Sequence, residues 1–200
     1  SGLTRNYSTA IKPALQVIGV EEGVSTIAGM YIMITKDGPF FFADTTVNLN
    51  PTAAEIADIT LLVAKAVKQL KITPRIALLS YSNFGSNEGE DAIKMREAVK
   101  IVQEKQKDLV VDGEIQANFA LNTELVNDFF NFSQLADKSA NTLIFPNLSS
   151  GNIAYKLIQE MANVESIGPI LLGMKKPVHV LQIGSSVREI LNMISLAVTD

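Results

Sequence analysis

Three short apolar runs, at residues 76–80, 109–115 and 142–146, each stop at small polar residues and are each succeeded by residues with helical periodicity. A parallel neighbour can be reached only through a crossover of a dozen or more residues, so this strand, loop and helix alternation points to a sheet covered by helices. Runs that are apolar at successive rather than alternate positions belong to strands buried on both faces. The overall composition, 47% hydrophobic and only 19% charged, fits that burial.

The remaining segments fill in the same pattern. Ile11, Ala14, Leu15 and Ile18 recur at helical spacing behind Ser8 and Thr9, either of which can cap. Residues 30–35 and 40–43 read as two strands joined through Lys36-Asp37-Gly38-Pro39, because Asp-Gly supplies the left-handed geometry of a hairpin. Behind Pro51 and Thr52, the positions Glu55, Ile56, Ile59, Leu62 and Ala66 predict a long helix to about Leu70. Further helices are expected at 92–103, 122–130, 153–162 and 186–197, with a last strand at 179–182. The predicted fold class is α/β, a mostly parallel sheet with flanking helices and one hairpin.

Composition also excludes some functions. The chain has no cysteine, which removes disulfides, thiolate zinc sites and a cysteine nucleophile. A net charge of −4 without a basic stripe argues against nucleic acid as a partner. No apolar run approaches the roughly 20 residues of a membrane span, and the N-terminus has no secretory pattern. The expectation is a soluble, cytoplasmic protein with no membrane partner, and the abrupt opening Ser1-Gly2-Leu3-Thr4-Arg5 reads as a piece of something longer.

Three segments could carry chemistry. Phe145-Pro146-Asn147-Leu148-Ser149-Ser150-Gly151-Asn152-Ile153 is a strand end opening into a helix, a turn that either points backbone N–H groups at an anion or satisfies its own caps. Residues 80–90, Gly-, Ser- and Asn-rich, follow a strand where open α/β sheets place ligands, although neither a Walker nor a dinucleotide fingerprint is present. Residues 168–179 are punctuated by glycine and proline and are expected to follow an irregular path. His179, the only histidine, has no evident triad or metal partners and is read as structural. Asp44, Asp112 and Glu114 sit near strand ends, where cap and turn roles compete with acid–base roles. The charges from Lys94 to Lys107 read as a solvated helix face.

Taken in order, Lys12-Pro13-Ala14-Leu15-Gln16, Phe42-Ala43-Asp44, residues 77–82, 111–116 and 145–156, with 168–170 and 176–178, resemble the phosphate acetyl/butyryltransferases along almost the whole chain. The resemblance implies an isocitrate/isopropylmalate dehydrogenase-like fold with an interdomain cleft, in which an acyl group moves between coenzyme A and phosphate. It further implies that residues 1–167 form the second, inserted domain and 168–200 the C-terminal segment of a first domain. Residues 2–7 resemble the version of this family that forms the C-terminal domain of bacterial NADP-dependent malic enzymes.

Departures from the family pattern fall on its chemistry. Where the transferases place a serine and an arginine on the reaction intermediate, this chain has Gln182 and Ile183; their catalytic aspartate corresponds to Glu189, and a basic position is Lys12 rather than arginine. Losing such an electrostatic clamp costs about 3 to 4 kcal/mol of transition-state stabilisation in known cases. The resemblance therefore implies degenerate catalytic positions at Lys12, Gln182, Ile183 and Glu189. Lys12, Ser82, Gly151, Asn152 and Glu189 are the candidate ligands for acyl-CoA or phosphate, with no metal and no cofactor in this chain. Acetyl-CoA is the expected effector. The expected partners are malic-enzyme N-terminal domains, where NADP and Mg or Mn would convert malate to pyruvate, and further copies in a homodimer or higher oligomer. The alternatives are an active transferase using Lys12 and Glu189, and a structural domain without coenzyme A affinity.

Overall fold

The computed structural model describes residues 7–181 and 184–199. The elements run α1 (Tyr7–Val17), β1 (Ala28–Thr35), β2 (Gly38–Ala43), α2 (Ala53–Gln69), β3 (Arg75–Leu79), α3 (Glu90–Lys105), β4 (Val110–Ile115), α4 (Ala117–Ala120) and α5 (Thr123–Phe129). They continue as β5 (Thr142–Ile144), α6 (Leu148–Ala162), β6 (Glu165–Leu172), β7 (Val178–His179) and α7 (Val187–Thr199). Among these residues no helix is long and apolar enough to cross a membrane.

One sheet of seven strands, in the order β4-β3-β5-β2-β1-β6-β7, organises the chain. β4, β3, β5 and β2 are mutually parallel, whereas β1 is antiparallel to both β2 and β6, and β7 is antiparallel to β6. The sheet is therefore mixed, not mostly parallel. The difference has two sources: the hairpin at Lys36-Asp37 reverses β1 against β2, and residues 165–172 form a full strand where Gly168 and Pro169 read as an interruption.

That strand tolerates its proline through a bulge. Met30 pairs with Ile170 and Ile32 with Ile167, so Tyr31 alone faces both Gly168 and Pro169 and no ladder bond is asked of the proline nitrogen. Gly168 has φ +152°, and a Cβ there would stand 2.7 Å from the Tyr31 ring. The boundary expected at 167/168 falls inside β6.

Alternation along each strand divides the core between two faces. Met30, Ile32, Phe41, Ile76 and Leu78 point toward α2, α3 and α7, meeting Ile56, Ile59, Val63, Met95 and Met193. Tyr31, Met33, Phe42, Ala77 and Leu79 point the other way, toward Val126, Leu135, Phe145 and Tyr155. Tyr31 and Tyr155 stack there at 4.1 Å between ring centres. Burial on both faces is the physical reason the strands read as unbroken apolar runs. α2 begins where Pro51 and Thr52 indicated, with Thr52 and Glu55 capping reciprocally.

Candidate functional site

Because β2, β3, β4 and β5 are parallel, the segments following them gather at one edge of the sheet, the place where open α/β folds present ligands. Each of these segments is held by a buried or half-buried polar side chain. After β2 the holder is Asp44, only 3% exposed. Its Oδ1 accepts from the backbone N–H groups of Gly29 (3.1 Å), Thr46 (2.9 Å) and Val47 (3.1 Å), and its Oδ2 from the N–H (2.8 Å) and Nδ2 (2.5 Å) of Asn48. This carboxylate shapes residues 44–48 and has no acid–base geometry.

After β3 and β4 the holder is Glu114, whose side chain is fully buried. Oε2 accepts from Arg96 Nε at 2.9 Å, and Oε1 accepts from Ser82 Oγ at 2.8 Å, Gly85 N at 2.9 Å and Arg96 NH2 at 3.3 Å. Burial pushes the carboxyl up, but the Arg96 fork, the Gly85 N–H and the Ser82 hydroxyl outweigh it and leave it below the ordinary glutamate range. The Arg96 guanidinium is correspondingly raised, chiefly by its bond to Glu114. Asp112 serves a turn, accepting from Ser133 Oγ (2.6 Å) and Gln134 N (2.8 Å).

After β5, Asn147 caps α6 by accepting from Ser150 N at 3.0 Å, while Leu148 N donates to Leu49 O at 3.1 Å and Gly151 N to Asn147 O at 3.3 Å. The helix thus starts at Leu148, five residues before the periodicity placed it, and Gly151 and Asn152 lie in its body. They do not offer free N–H groups at a helix start. Gly151 instead lets the helix lie against the strand end: a Cβ there would stand 2.5 Å from the Asp44 carbonyl oxygen and 3.3 Å from the Phe145 ring. Asn152 Nδ2 donates to Thr45 O at 3.1 Å, tying the same two elements.

These loops enclose an open cleft of about 580 Å³ lined by Leu49, Asn50, Tyr81, Glu90, Asp91, Asn147 and Ser149. Tyr81 is 57% exposed and Leu49 77%, so the cleft offers apolar surface beside amide and hydroxyl groups, with the carboxylates of Glu90 and Asp91 on one wall. Lys94 bridges its wall, donating to Asn50 Oδ1 (2.9 Å) and pairing with Asp91 (2.8 Å). Among the described residues no three of His, Asp or Glu cluster as a metal site.

The sequence-derived candidates are dispersed. Ser82 is fully buried, and its hydroxyl is engaged by Glu114, Ser86 and the Asn87 N–H, so it faces inward. Lys12 is exposed on α1, a helix seated by Ile11 against Leu171 and Met174. Glu189 caps its own helix reciprocally, accepting from Ser186 N at 2.6 Å while its N–H donates to Ser186 Oγ. Gln182 and Ile183 lie outside the described residues. His179 lies on β7, paired with Ile170. Sequence reasoning did not single out Arg96, which turns inward from the supposedly solvated face of α3, nor Tyr81 as a cleft wall. Arg96 pairs with Glu114, 18 residues away, and Tyr81 faces Asn147 and Ser149 across the cleft, neither relation being within reach of a local pattern.

The family model described as phosphate acetyl/butaryl transferase matches residues 1–198. The chain belongs to this family. Among curated proteins it is 41% identical over 196 residues to the NADP-dependent malic enzyme of Haemophilus influenzae, covering 98% of this chain and 26% of that protein. It is 38% identical over 207 residues to the phosphate acetyltransferase of Clostridium acetobutylicum, covering 100% of this chain and 62% of that one. A solved phosphotransacetylase from Streptococcus pyogenes superimposes with a TM-score of 0.92 at 37% identity, over 100% of this chain and 61% of its own. This phosphate acetyltransferase-like chain thus spans about a quarter of its malic enzyme relatives, whose C-terminal part it matches, and under two thirds of the transferases. Of the segments that carried the family resemblance, 77–82 supplies Tyr81 and 145–156 supplies Asn147 and Ser149 to the cleft lining.

Proposed function

We propose that this chain is the C-terminal domain of an NADP-dependent malic enzyme, unable to transfer acyl groups and used to sense acetyl-CoA and to bring subunits together. The observation that carries this reading is the match of nearly the whole chain to the C-terminal part of malic enzymes at 41% identity. Loss of transfer is supported by the residues at the chemical positions. Gln182 and Ile183 bring neither hydroxyl nor charge, Lys12 lacks the bidentate fork of arginine, and the Glu189 carboxylate caps its own helix. Acyl-CoA recognition is supported by the cleft, where an exposed tyrosine and leucine stand beside amides and hydroxyls at the strand ends.

In this reading oxidation of malate to pyruvate, with NADP and Mg or Mn, belongs to a part of the longer protein outside this chain. Residues 168–200 would complete a first domain of isocitrate/isopropylmalate dehydrogenase type, with 1–167 as the inserted second domain. The test is made on the full-length parent: malate-dependent NADP reduction with and without acetyl-CoA, beside acyl transfer from acetyl phosphate to coenzyme A. Malate turnover that responds to acetyl-CoA without acyl transfer is the expected result. Brisk acyl transfer without malate oxidation would return the chain to the active transferases.

A further inference from the structure

A fully buried carboxylate on β4 is connected to the exposed ring of the cleft by hydrogen bonds that run through Ser82 and the backbone and side chain of Asn87. Glu114 Oε1 accepts from Ser82 Oγ at 2.8 Å, Ser82 Oγ accepts from Asn87 N at 3.0 Å, and Asn87 Oδ1 accepts from Tyr81 Oη at 3.1 Å. The Glu114 carbonyl takes Phe84 N at 2.8 Å, and its carboxylate takes Gly85 N at 2.9 Å. Arg96 closes the loop from the other side, donating to Asn87 O at 3.0 Å while its fork grips Glu114.

Phe84 and Gly85 are consecutive left-handed residues, at φ +44° and +88°, a conformation that surrounding bonds must hold, above all for phenylalanine. Stability alone does not explain this arrangement, since apolar side chains of similar volume commonly replace a buried ion pair without loss. What the pair does provide is one fixed shape for residues 80–89 and one orientation for Tyr81, whose hydroxyl also lies across Gly89, where a Cβ would stand 2.0 Å away.

We infer that Glu114 and Arg96 are positioning residues for acyl-CoA recognition, setting the cleft wall formed by Tyr81 without touching the ligand. The inference rests on the acyl-CoA reading above. Its test is acetyl-CoA titration by calorimetry, with amide hydrogen exchange of residues 80–89, on the full-length parent protein and on its Glu114→Gln, Arg96→Lys, Arg96→Gln, Tyr81→Ala and Val63→Ala variants. Val63 is a buried residue of α2, on the sheet face shared with α3 and α7, and its truncation supplies general destabilisation away from the cleft. Expected are an affinity loss of about tenfold or more in Glu114→Gln and Tyr81→Ala, a smaller loss in Arg96→Lys than in Arg96→Gln, and faster exchange at 80–89. Val63→Ala should lose stability and keep affinity. No binding by the wild-type parent would overturn the acyl-CoA reading and this inference with it. Wild-type binding with unchanged affinity in Glu114→Gln, or equal loss in Val63→Ala, would overturn the inference alone.

Discussion

Replacing Gly151 by alanine sets two effects of opposite sign against each other. Inside α6 an alanine is favoured over glycine by about 1 kcal/mol, because the unfolded glycine loses more backbone freedom on ordering. Against this, the added Cβ would stand 2.5 Å from the main-chain oxygen of Asp44 and 3.3 Å from two atoms of the Phe145 ring. Overpacking of this kind costs about 1 to 3 kcal/mol, and here the upper part of that range applies. The oxygen belongs to a segment fixed by five donors on the Asp44 carboxylate, so the strand end cannot retreat without breaking them. The net expectation is a loss of about 1 to 2 kcal/mol, which in a chain of this size lowers the melting temperature by about 2 to 8 °C. Urea and thermal unfolding of Gly151→Ala beside Ser149→Ala measure it, the latter being an exposed first-turn position where about ±0.5 kcal/mol is expected. If Gly151→Ala is as stable as the wild type or more so, the close approach of α6 to β2 is not what requires glycine there.

Other perturbations follow from the same geometry. Asp44→Asn turns an amide NH2 toward a group of donors and should cost about 2 to 3 kcal/mol in urea unfolding; a change below 0.5 would mean that the carboxylate is not holding the segment. Thr52→Ala removes the hydroxyl half of a reciprocal cap on α2, leaving the backbone N–H that Glu55 accepts, and should cost about 1 kcal/mol by the same assay; no loss would mean that the hydroxyl does not hold the helix start. The folded Glu114 carboxyl lies below its ordinary value of 4.5, so between those values the unfolded chain binds the extra proton and stability rises with pH. The stabilisation is complete above about 4.5 and is lost as pH falls through the lower, folded value. The stability difference between wild type and Glu114→Gln should therefore shrink on acidification from pH 6 to pH 3, and a constant difference would refute the assignment.

Legibility from sequence tracked locality. The hairpin at Asp37-Gly38, the start of α2 at Thr52 and the apolar strands were readable because each depends on neighbours a few residues apart. β6 was not, because its Gly168-Pro169 step breaks the ladder pattern and is accommodated only by the bulge opposite Tyr31. The start of α6 was missed because residues 148–152 sit at the strand end rather than on the core, so they carry no apolar period. At the candidate site, strand ends were foreseeable and partnerships were not: Glu114 and Arg96 are 18 residues apart, and Asn152 and Thr45 are 107.

This difference bears on how the family resemblance itself is weighed. Asp44, Ser82, Glu114, Gly151 and Asn152 all carry the resemblance, and each has a packing or bonding task at the strand ends. Removing any of them costs stability whether or not an acyl group is ever transferred, so their presence speaks for the fold and the cleft rather than for turnover. Lys12 is different, an exposed side chain whose exchange for arginine leaves the core untouched. Glu189 is retained in a form that completes a cap, a task glutamate performs at the third helical position. Of the departures within the described residues, Lys12 stands at a position of this exposed kind and Glu189 at one with a capping task, so what they do to acyl transfer is decided by the transfer assay and not by the stability of the fold.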